Sequence, residues 1–187
     1  PESPVANTDG QKRIRDTKNV YEVGDVPEED QQSALDFLQY IQNAGAKVDA
    51  IDVYKQSALF FASRDGNTKC VIHLLQHGCK AQKRDQHNQC AHFYAARQNR
   101  LETMRVLLKN KAEPNLRDNS GDTALFYAAK NGHLEMARIL VEGGCDPGIR
   151  NKLKQNAAQV ARTAGKMDMV KYLEKFKPEN HTRSSFS

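Results

Sequence analysis

The stretch TALFYAAKNGHLEMARILVEGG, residues 123–144, contains two short apolar patterns of helical spacing, separated by Asn131-Gly132. Each pattern is shorter than the roughly 12 to 15 residues at which an isolated helix becomes stable in water. Two helices of this length need neighbours to pack against, and the rest of the chain must supply them.

The neighbours are copies of the same pattern, which recurs with a period of 33 residues. Four decapeptides align and share alanine at their second and sixth positions: SALFFASRDG (57–66), CAHFYAARQN (90–99), TALFYAAKNG (123–132) and NAAQVARTAG (156–165). A leucine follows each copy at one fixed distance: Leu74, Leu107, Leu140 and Leu173. An acid or amide precedes each copy: Asp52, Asp85, Asp118 and Asn151. A fixed period of this length is typical of stacked repeats, in which neighbouring units bury the apolar face that one unit cannot bury alone.

Each unit is predicted to form a helix, a tight turn, a second helix and an extended finger. Good N-cap residues precede the first helix in three units: Ser57, Thr123 and Asn156. Residues that tolerate a left-handed backbone end the first helix: Gly66, Asn99, Gly132 and Gly165. After the second helix, Lys111 stands where two other units have Gly78 and Gly144, so we expect a strained or reshaped turn there.

This pattern strongly resembles the ankyrin repeat over about residues 31–176, and GDTALFYAAKNGHLEMARILVEGGCDP (121–147) carries nearly the whole family pattern. The resemblance implies an all-α solenoid of stacked helix–turn–helix units with short hairpin fingers. The family's T-P-L-H tetrapeptide is altered here, since its histidine is replaced by Phe60, Phe93 and Phe126. Phenylalanine cannot form the hydrogen bonds of that histidine, so we expect these rings to pack instead.

Both ends of the repeat region are expected to act as caps. Residues 31–45, QQSALDFLQYIQNAG, lie in register with a second helix, and Asp25 is a candidate N-cap followed by Pro27 and Glu28. Glu174 replaces an apolar residue of the other units, which suits a terminal repeat whose outer face meets water. The predicted domain at 25–177 comprises an N-terminal cap (25–50), three repeats (51–83, 84–116 and 117–149) and a C-terminal capping repeat (150–177). The polar segments 1–24 and 178–187 are predicted to be disordered.

The charge of the chain is uneven. Residues 1–30 hold 4 Lys/Arg and 8 Asp/Glu, whereas the remainder holds 24 and 15, so the predicted folded part is basic. The four cysteines show no disulfide spacing, which favours a reduced, intracellular setting in the cytoplasm or nucleus. No apolar run approaches the roughly 18 residues of a membrane span.

Histidine and cysteine side chains crowd residues 70–92, a composition that raises the question of zinc. The repeat register places His73 and His92 at core positions but His77 and His87 at the surface, and no C-x-x-C pair is present. We therefore predict packing rather than a metal site, no cofactor, and four free thiols. No nucleophile elbow, phosphate loop or metalloprotease helix occurs, so we predict no catalytic residue and a non-enzymatic role.

Two rows of basic residues recur with the repeat. Residues four apart share a helix face, which pairs three phenylalanines with three cations: Phe60 with Arg64, Phe93 with Arg97, and Phe126 with Lys130. A second row precedes the acid or amide of the fingers: Arg84, Arg117 and Arg150. In ankyrin proteins the fingers and first helices line a concave surface that binds partners. The resemblance therefore implies exposed partner-binding positions at Tyr54, Gln56, Arg64, Arg84, Gln86, His87, Gln89, Arg97, Arg117, Asn119, Asp122, Lys130 and Arg150.

We interpret the chain as a protein-interaction module that holds an acidic peptide or protein surface in its concave groove and takes no small-molecule substrate. A first alternative is the targeting domain of a larger enzyme, such as a chromatin protein that reads methylated lysine. Its cage would be built from Tyr54, Phe61, Tyr94, Tyr127 and the phenylalanine row, but the arginine rows would repel a basic tail. A second alternative is nucleic-acid binding, which fits the charge but lacks a recognition helix or stacking motif.

Overall fold

The computed structural model describes residues 28–176, which form one long helix followed by four pairs of short helices. The long helix is α1 (Glu28–Asn43). The pairs are α2 (Ala58–Asp65) with α3 (Thr68–Gln76), α4 (Ala91–Arg97) with α5 (Leu101–Lys109), α6 (Ala124–Asn131) with α7 (Leu134–Glu142), and α8 (Ala157–Thr163) with α9 (Met167–Leu173). A 3₁₀ turn, Glu174–Phe176, follows α9. The described residues contain no strand, which confirms the predicted all-α solenoid.

The helices pack in two parallel rows. The first helices α2, α4, α6 and α8 contact one another in order, and α1, α3, α5, α7 and α9 form the second row. Small side chains allow the first helices to approach closely, because the alanines at their shared positions are fully buried from α4 onward: Ala91, Ala95, Ala124, Ala128, Ala157 and Ala161. Helix α1 packs on α3 and so occupies the second row, while the predicted repeat boundaries themselves stay predictions.

The turns between helices use the left-handed backbone that the sequence suggests. Gly66 and Gly132 end their helices at φ of 80° and 81°. Asn99 takes φ of 56° at the matching position of the second unit. Lys111 adopts φ of 64°, close to the conformation of Gly78, so the turn keeps its shape and the strain falls on the lysine backbone.

The first helices begin after the expected N-cap residues, but not every one of these residues forms a capping hydrogen bond. Asn156 forms a complete capping box with Gln159. Ser57 and Thr123 occupy N-cap positions but form no capping hydrogen bond, and the expected side-chain cap is wrong there. Their hydroxyl oxygens instead lie 3.9 Å from the Sγ atoms of the buried Cys79 and Cys145.

With one exception, the histidines and cysteines are buried or exposed as the repeat register predicts. His92 is buried, while His77 and His87 are exposed. The prediction that His73 is a core residue is wrong, because its ring is half-buried, lies 2.6 Å from Gln42 through Nε2 and stacks on His77. All four cysteines are buried free thiols. Within residues 28–176, no three His, Cys, Asp or Glu residues are grouped to hold a metal ion.

Residues 1–27 and 177–187 lie outside the described part of the chain. The candidate cap residues Asp25 and Pro27 and both segments predicted to be disordered belong to these ends. Across the described residues, every helix is too short or too polar to cross a membrane.

The close stacking of first helices can be tested at equivalent positions of two repeats. Ala124 is fully buried between neighbours, whereas Ala58 at the start of α2 is exposed in an apolar groove. We expect Ala124→Leu to overpack the stack and lower the free energy of unfolding by about 1–3 kcal/mol. Ala58→Leu should change it by less than about 0.5 kcal/mol. Urea unfolding of both variants measures the difference, and equal losses would contradict the stacking.

The buried imidazole of His92 predicts a pH dependence. Neither ring nitrogen has a hydrogen-bond partner among the described residues, and burial, with a smaller contribution from Arg84, lowers the pKa of His92 from 6.5 to about 4. The folded protein therefore holds the neutral ring while the unfolded chain takes up a proton, so stability is lost as the pH falls from 6.5 toward 4.

We expect His92→Leu, which places the residue found at Leu59 and Leu125, to remove this loss. Between about pH 7.5 and about pH 5, the wild type should lose about 2 kcal/mol more unfolding free energy than the variant. Parallel urea titrations at the two pH values give the comparison. Identical pH dependence of the two proteins would show that His92 is not held neutral.

Candidate functional site

A hollow of about 530 Å³ opens between the fingers and the first helices. Here it is called the finger–helix hollow. Its walls are polar and aromatic: Tyr54, Gln56, Gln86, His87, Gln89, Tyr94, Arg97, Asp118, Asn119, Ser120 and Tyr127. Seven of the predicted partner-binding residues thus come together there: Tyr54, Gln56, Gln86, His87, Gln89, Arg97 and Asn119.

Each finger is a turn closed by the side chain that begins it. Asp118 Oδ1 accepts hydrogen bonds from the backbone N–H groups of Ser120 at 2.8 Å and Asp122 at 3.0 Å. Equivalent pairs of bonds form at Asp52, Asp85 and Asn151. This turn requires an acceptor oxygen two bonds beyond Cβ, so aspartate and asparagine both serve. The fingers therefore have a shape set by local hydrogen bonds.

The second carboxylate oxygen ties the finger to a first helix and to the preceding finger. Tyr127 donates its O–H to Asp118 Oδ2 at 2.6 Å. Gln89, from the preceding finger, donates through Nε2 to the same carboxylate oxygen at 3.0 Å and to Tyr127 Oη at 2.8 Å. The repeat before it forms a matching pair of bonds, each 2.7 Å, among Gln56, Asp85 and Tyr94. Each tyrosine therefore connects two repeats.

Both tyrosines are held as neutral hydrogen-bond donors. Burial, and next the bond to Asp118, raise the pKa of Tyr127 to about 12. Burial and the bond to Asp85 likewise raise the pKa of Tyr94. Neither hydroxyl ionises near neutral pH, so the network keeps its donors and acceptors in one arrangement.

Arg97 lies over this network with its side chain half-buried. Its guanidinium carbon is 4.5 Å from the ring centroid of Tyr127 and 5.4 Å from that of Tyr94. Nη2 donates to Gln89 Oε1 at 3.1 Å. Within residues 28–176, no carboxylate forms an ion pair with Arg97. A guanidinium carries five N–H donors, so donors remain for a ligand in the finger–helix hollow.

The prediction that Gln89 is exposed is wrong, because its side chain is only 5% exposed. Its amide nitrogen donates hydrogen bonds to Asp118 and Tyr127, and its amide oxygen accepts one from Arg97. Gln89 therefore organises the site from behind its surface.

The pairing of phenylalanines with cations on one exposed face is also wrong. The rings of Phe60, Phe93 and Phe126 are at most 3% exposed. Two of the cations instead lie near the aromatic residue that follows the phenylalanine, with Arg64 over Phe61 at 5.2 Å and Arg97 over Tyr94. Two of the phenylalanines contact the next repeat: Phe60 packs edge-on against Tyr94 at a centroid distance of 5.6 Å, and Phe93 against Tyr127 at 6.1 Å.

The other predicted binding residues lie outside the finger–helix hollow: Arg64, Arg84, Arg117, Asp122, Lys130 and Arg150. Arg64 forms an ion pair with Asp65 at 2.8 Å, and Asp122 accepts from Asn151 at 2.8 Å between neighbouring fingers. The three finger arginines and Lys130 are exposed. Of the six cations in the predicted rows, all within the described residues, Arg97 alone lines the hollow.

From the sequence, Tyr94 and Tyr127 were predicted only as candidate residues of a methyl-lysine cage. The sequence does contain a signal for their role. Each tyrosine follows a finger glutamine by 38 residues, as in Gln56 with Tyr94 and Gln89 with Tyr127. A recurring polar pair at constant separation indicates a contact between adjacent repeats.

The tyrosine bonds can be tested by removing one hydroxyl. Tyr127→Phe keeps the ring but removes a donor from the buried Asp118, so we expect unfolding free energy to fall by about 1–3 kcal/mol. Tyr54→Phe is the matched control, because Tyr54 is exposed and its hydroxyl has no hydrogen-bond partner among the described residues. The control should change stability by less than about 0.5 kcal/mol. Thermal or urea unfolding measures both, and a silent Tyr127→Phe would rule out a structural role for the bond.

The chain was compared with models of known protein families. Residues 92–141, which cover most of the two central helix pairs, match the family model for ankyrin repeats in many copies. No curated protein gave a significant match to the chain.

The family match and the fold agree, because residues 92–141 lie within the stacked helices α4 to α7. Repeats of this kind are in general protein–protein interaction modules and are typically not catalytic. The matched residues lie within the stacked helix pairs, and the 33-residue period extends the same arrangement to the neighbouring units. Residues 92–141 therefore belong to the ankyrin-repeat family.

Proposed function

We propose that the chain binds a protein segment in the finger–helix hollow and that Arg97 holds an acidic side chain of that segment. The observation that carries the proposal is the guanidinium held over two tyrosine rings without a carboxylate partner among the described residues. A planar guanidinium suits a carboxylate because two N–H groups can donate in parallel. Restricting it before binding reduces the entropy that a partner must otherwise remove.

The hollow favours one acidic group rather than an acidic run. Asp118 lines the hollow and Asp122 lies beside it in the same finger, so several ligand carboxylates would meet like charge. Asp118 is saturated by two backbone amides, Gln89 and Tyr127, and it stays behind the surface with 7% exposure. Arg97 therefore presents the positive charge that a single ligand carboxylate would contact.

The exposed arginines of the fingers have a different role in this proposal. Arg84 and Arg150 donate to backbone carbonyl groups, of Arg117 and Lys154, and keep their charge at the surface. Exposed charges of this kind contribute mainly to encounter rate and partner selection. The predicted basic row along the fingers would attract the acidic partner, and Arg97 would hold it.

The arrangement of aromatic residues speaks against a methyl-lysine cage. The phenylalanine row is buried, and the rings of Tyr94 and Tyr127 already carry the guanidinium of Arg97. A methylated lysine would have to displace a fixed positive charge from these rings. Protein binding of the proposed kind would serve equally in a targeting domain of a larger enzyme.

An array of short peptides rich in aspartate or glutamate, with lysine-rich and scrambled neutral peptides beside them, tests the proposal. We expect the acidic peptides to bind most strongly, and the best of them to serve as a fluorescent probe in polarisation titrations. Arg97→Gln should weaken probe binding by about tenfold or more, because it removes a charge-assisted contact.

Arg64→Gln is the matched control, since Arg64 lies at the same repeat position but pairs with Asp65 outside the hollow. It should leave the affinity within about twofold. Unfolding curves of both variants check that the fold is intact. Preference for neutral or basic peptides, or equal weakening by the two substitutions, would contradict the assignment of Arg97.

A further inference from the structure

Within residues 28–176, one side of the first helix α2 has no neighbouring first helix. Helix α2 packs on α3 and α4, whereas α1 lies in the second row and packs on α3. Ala58 is exposed and Ala62 half-buried, while their equivalents in the later repeats are fully buried: Ala91, Ala95, Ala124, Ala128, Ala157 and Ala161. Helix α8 has no following first helix among the described residues, yet its alanines are covered. The cover therefore comes from the preceding first helix, which α2 lacks.

The open side of α2 forms one wall of an apolar groove of about 460 Å³, and α1 forms the other. Phe37 of α1 and Phe61 of α2 line the groove and are 64% and 38% exposed. Exposed aromatic rings beside uncovered alanines are a surface that an amphipathic helix can cover with its apolar face. In the later repeats the surface equivalent to Ala58 and Ala62 already packs on a helix.

The repeat period of the chain does not supply a helix for this position. The helix α2 (Ala58–Asp65) shifted back by 33 residues corresponds to residues 25–32. Residues 28–32 already belong to α1 (Glu28–Asn43), which stands in the second row. An additional first helix in register would need the same residues twice.

Charge disfavours a second copy of the chain in the groove. Helix α1 contains no Lys or Arg and four acidic residues: Glu28, Glu29, Asp30 and Asp36. A symmetric contact between two copies would bring two such helices together, and their like charges would repel.

The same charges favour a basic partner. Asp30 lines the groove and, within residues 28–176, forms no ion pair. Asp65, on the opposite wall, is neutralised by Arg64 of its own helix at 2.8 Å. A cation beside the apolar face of a bound helix would therefore meet the carboxylate of Asp30.

We propose that the groove between α1 and α2 binds an amphipathic helix of another protein. Its small and apolar residues pack on Phe37, Ala58 and Phe61, and a Lys or Arg at the edge of that face pairs with Asp30. The bound helix takes the open position of the first row beside α1. This partner is opposite in charge to the segment proposed for the finger–helix hollow, and the two sites are independent.

Two stapled helices of 16 residues, the length of α1, are probes for the full 187-residue chain. They share one face of alanine and leucine and differ at the flanking positions, which are lysine in one helix and glutamate in the other. In polarisation titrations we expect the lysine helix to bind at least about tenfold more tightly than the glutamate helix. Arg97→Gln should leave binding of the lysine helix within about twofold, which distinguishes this groove from the finger–helix hollow.

Phe37→Ser should weaken binding of the lysine helix by about tenfold or more, because an aromatic contact is lost. Tyr40→Ser is the matched control, since Tyr40 lies on the same helix, is 70% exposed and does not line the groove. It should leave the affinity within about twofold. Unfolding curves of both variants check that the fold is intact.

The charge contact is tested by Asp30→Lys, which should weaken binding by about fivefold or more because it replaces attraction with repulsion. Asp36→Lys makes the same change in net charge at a residue of α1 that does not line the groove, and it should have an effect of less than about twofold.

Failure of the lysine helix to bind would overturn the proposal. That result is expected if residues 1–27 of the chain or a second copy fill the groove. Equal binding of the lysine and glutamate helices, or equal effects of Phe37→Ser and Tyr40→Ser, would overturn it as well.

Discussion

Close packing of successive first helices, whose shared alanines are buried from α4 onward, sets the spacing on which the rest of the molecule depends. None of the paired helices exceeds nine residues among those described, so each takes its stability from its neighbours. The buried alanines allow repeat to follow repeat at one separation. At that separation the backbone of each finger reaches the carbonyl group of the finger before it. A glutamine on one finger also reaches the tyrosine of the next repeat.

These inter-repeat bonds shape the proposed binding site. Aspartate shapes the finger with one carboxylate oxygen and holds a tyrosine with the other. The guanidinium of Arg97 lies over the rings of both tyrosines, and its hydrogen bond to Gln89 fixes the position of Nη2. The positive charge is thereby supported by groups from two repeats. A site built in this way needs no long loop, because each contributing side chain stands on a helix or in a hydrogen-bonded turn.

The fold could be predicted because its determinants repeat. The four aligned decapeptides show the same pattern of residues on one helix face. Even Lys111, at the position of Gly78, adopts the left-handed backbone that the glycine pattern implies. The site was only partly predictable, because a helix residue has neighbours both three and four positions away. Arg64 and Arg97 turned toward the aromatic residue three positions earlier, since the phenylalanine four positions earlier is covered by the next repeat. Which ring is covered depends on the adjacent unit, and the pattern of a single helix does not contain that information.

Coupling between adjacent repeats through the Gln89–Tyr127 contact is the central claim, and a double-mutant cycle measures it most directly. The unfolding free energies of wild type, Gln89→Leu, Tyr127→Phe and the double variant provide the coupling energy. Since both side chains bind Asp118 Oδ2 and each other, we predict a coupling of about 0.5–3 kcal/mol. Strictly additive losses in the four proteins would contradict a network that joins the repeats and supports Arg97.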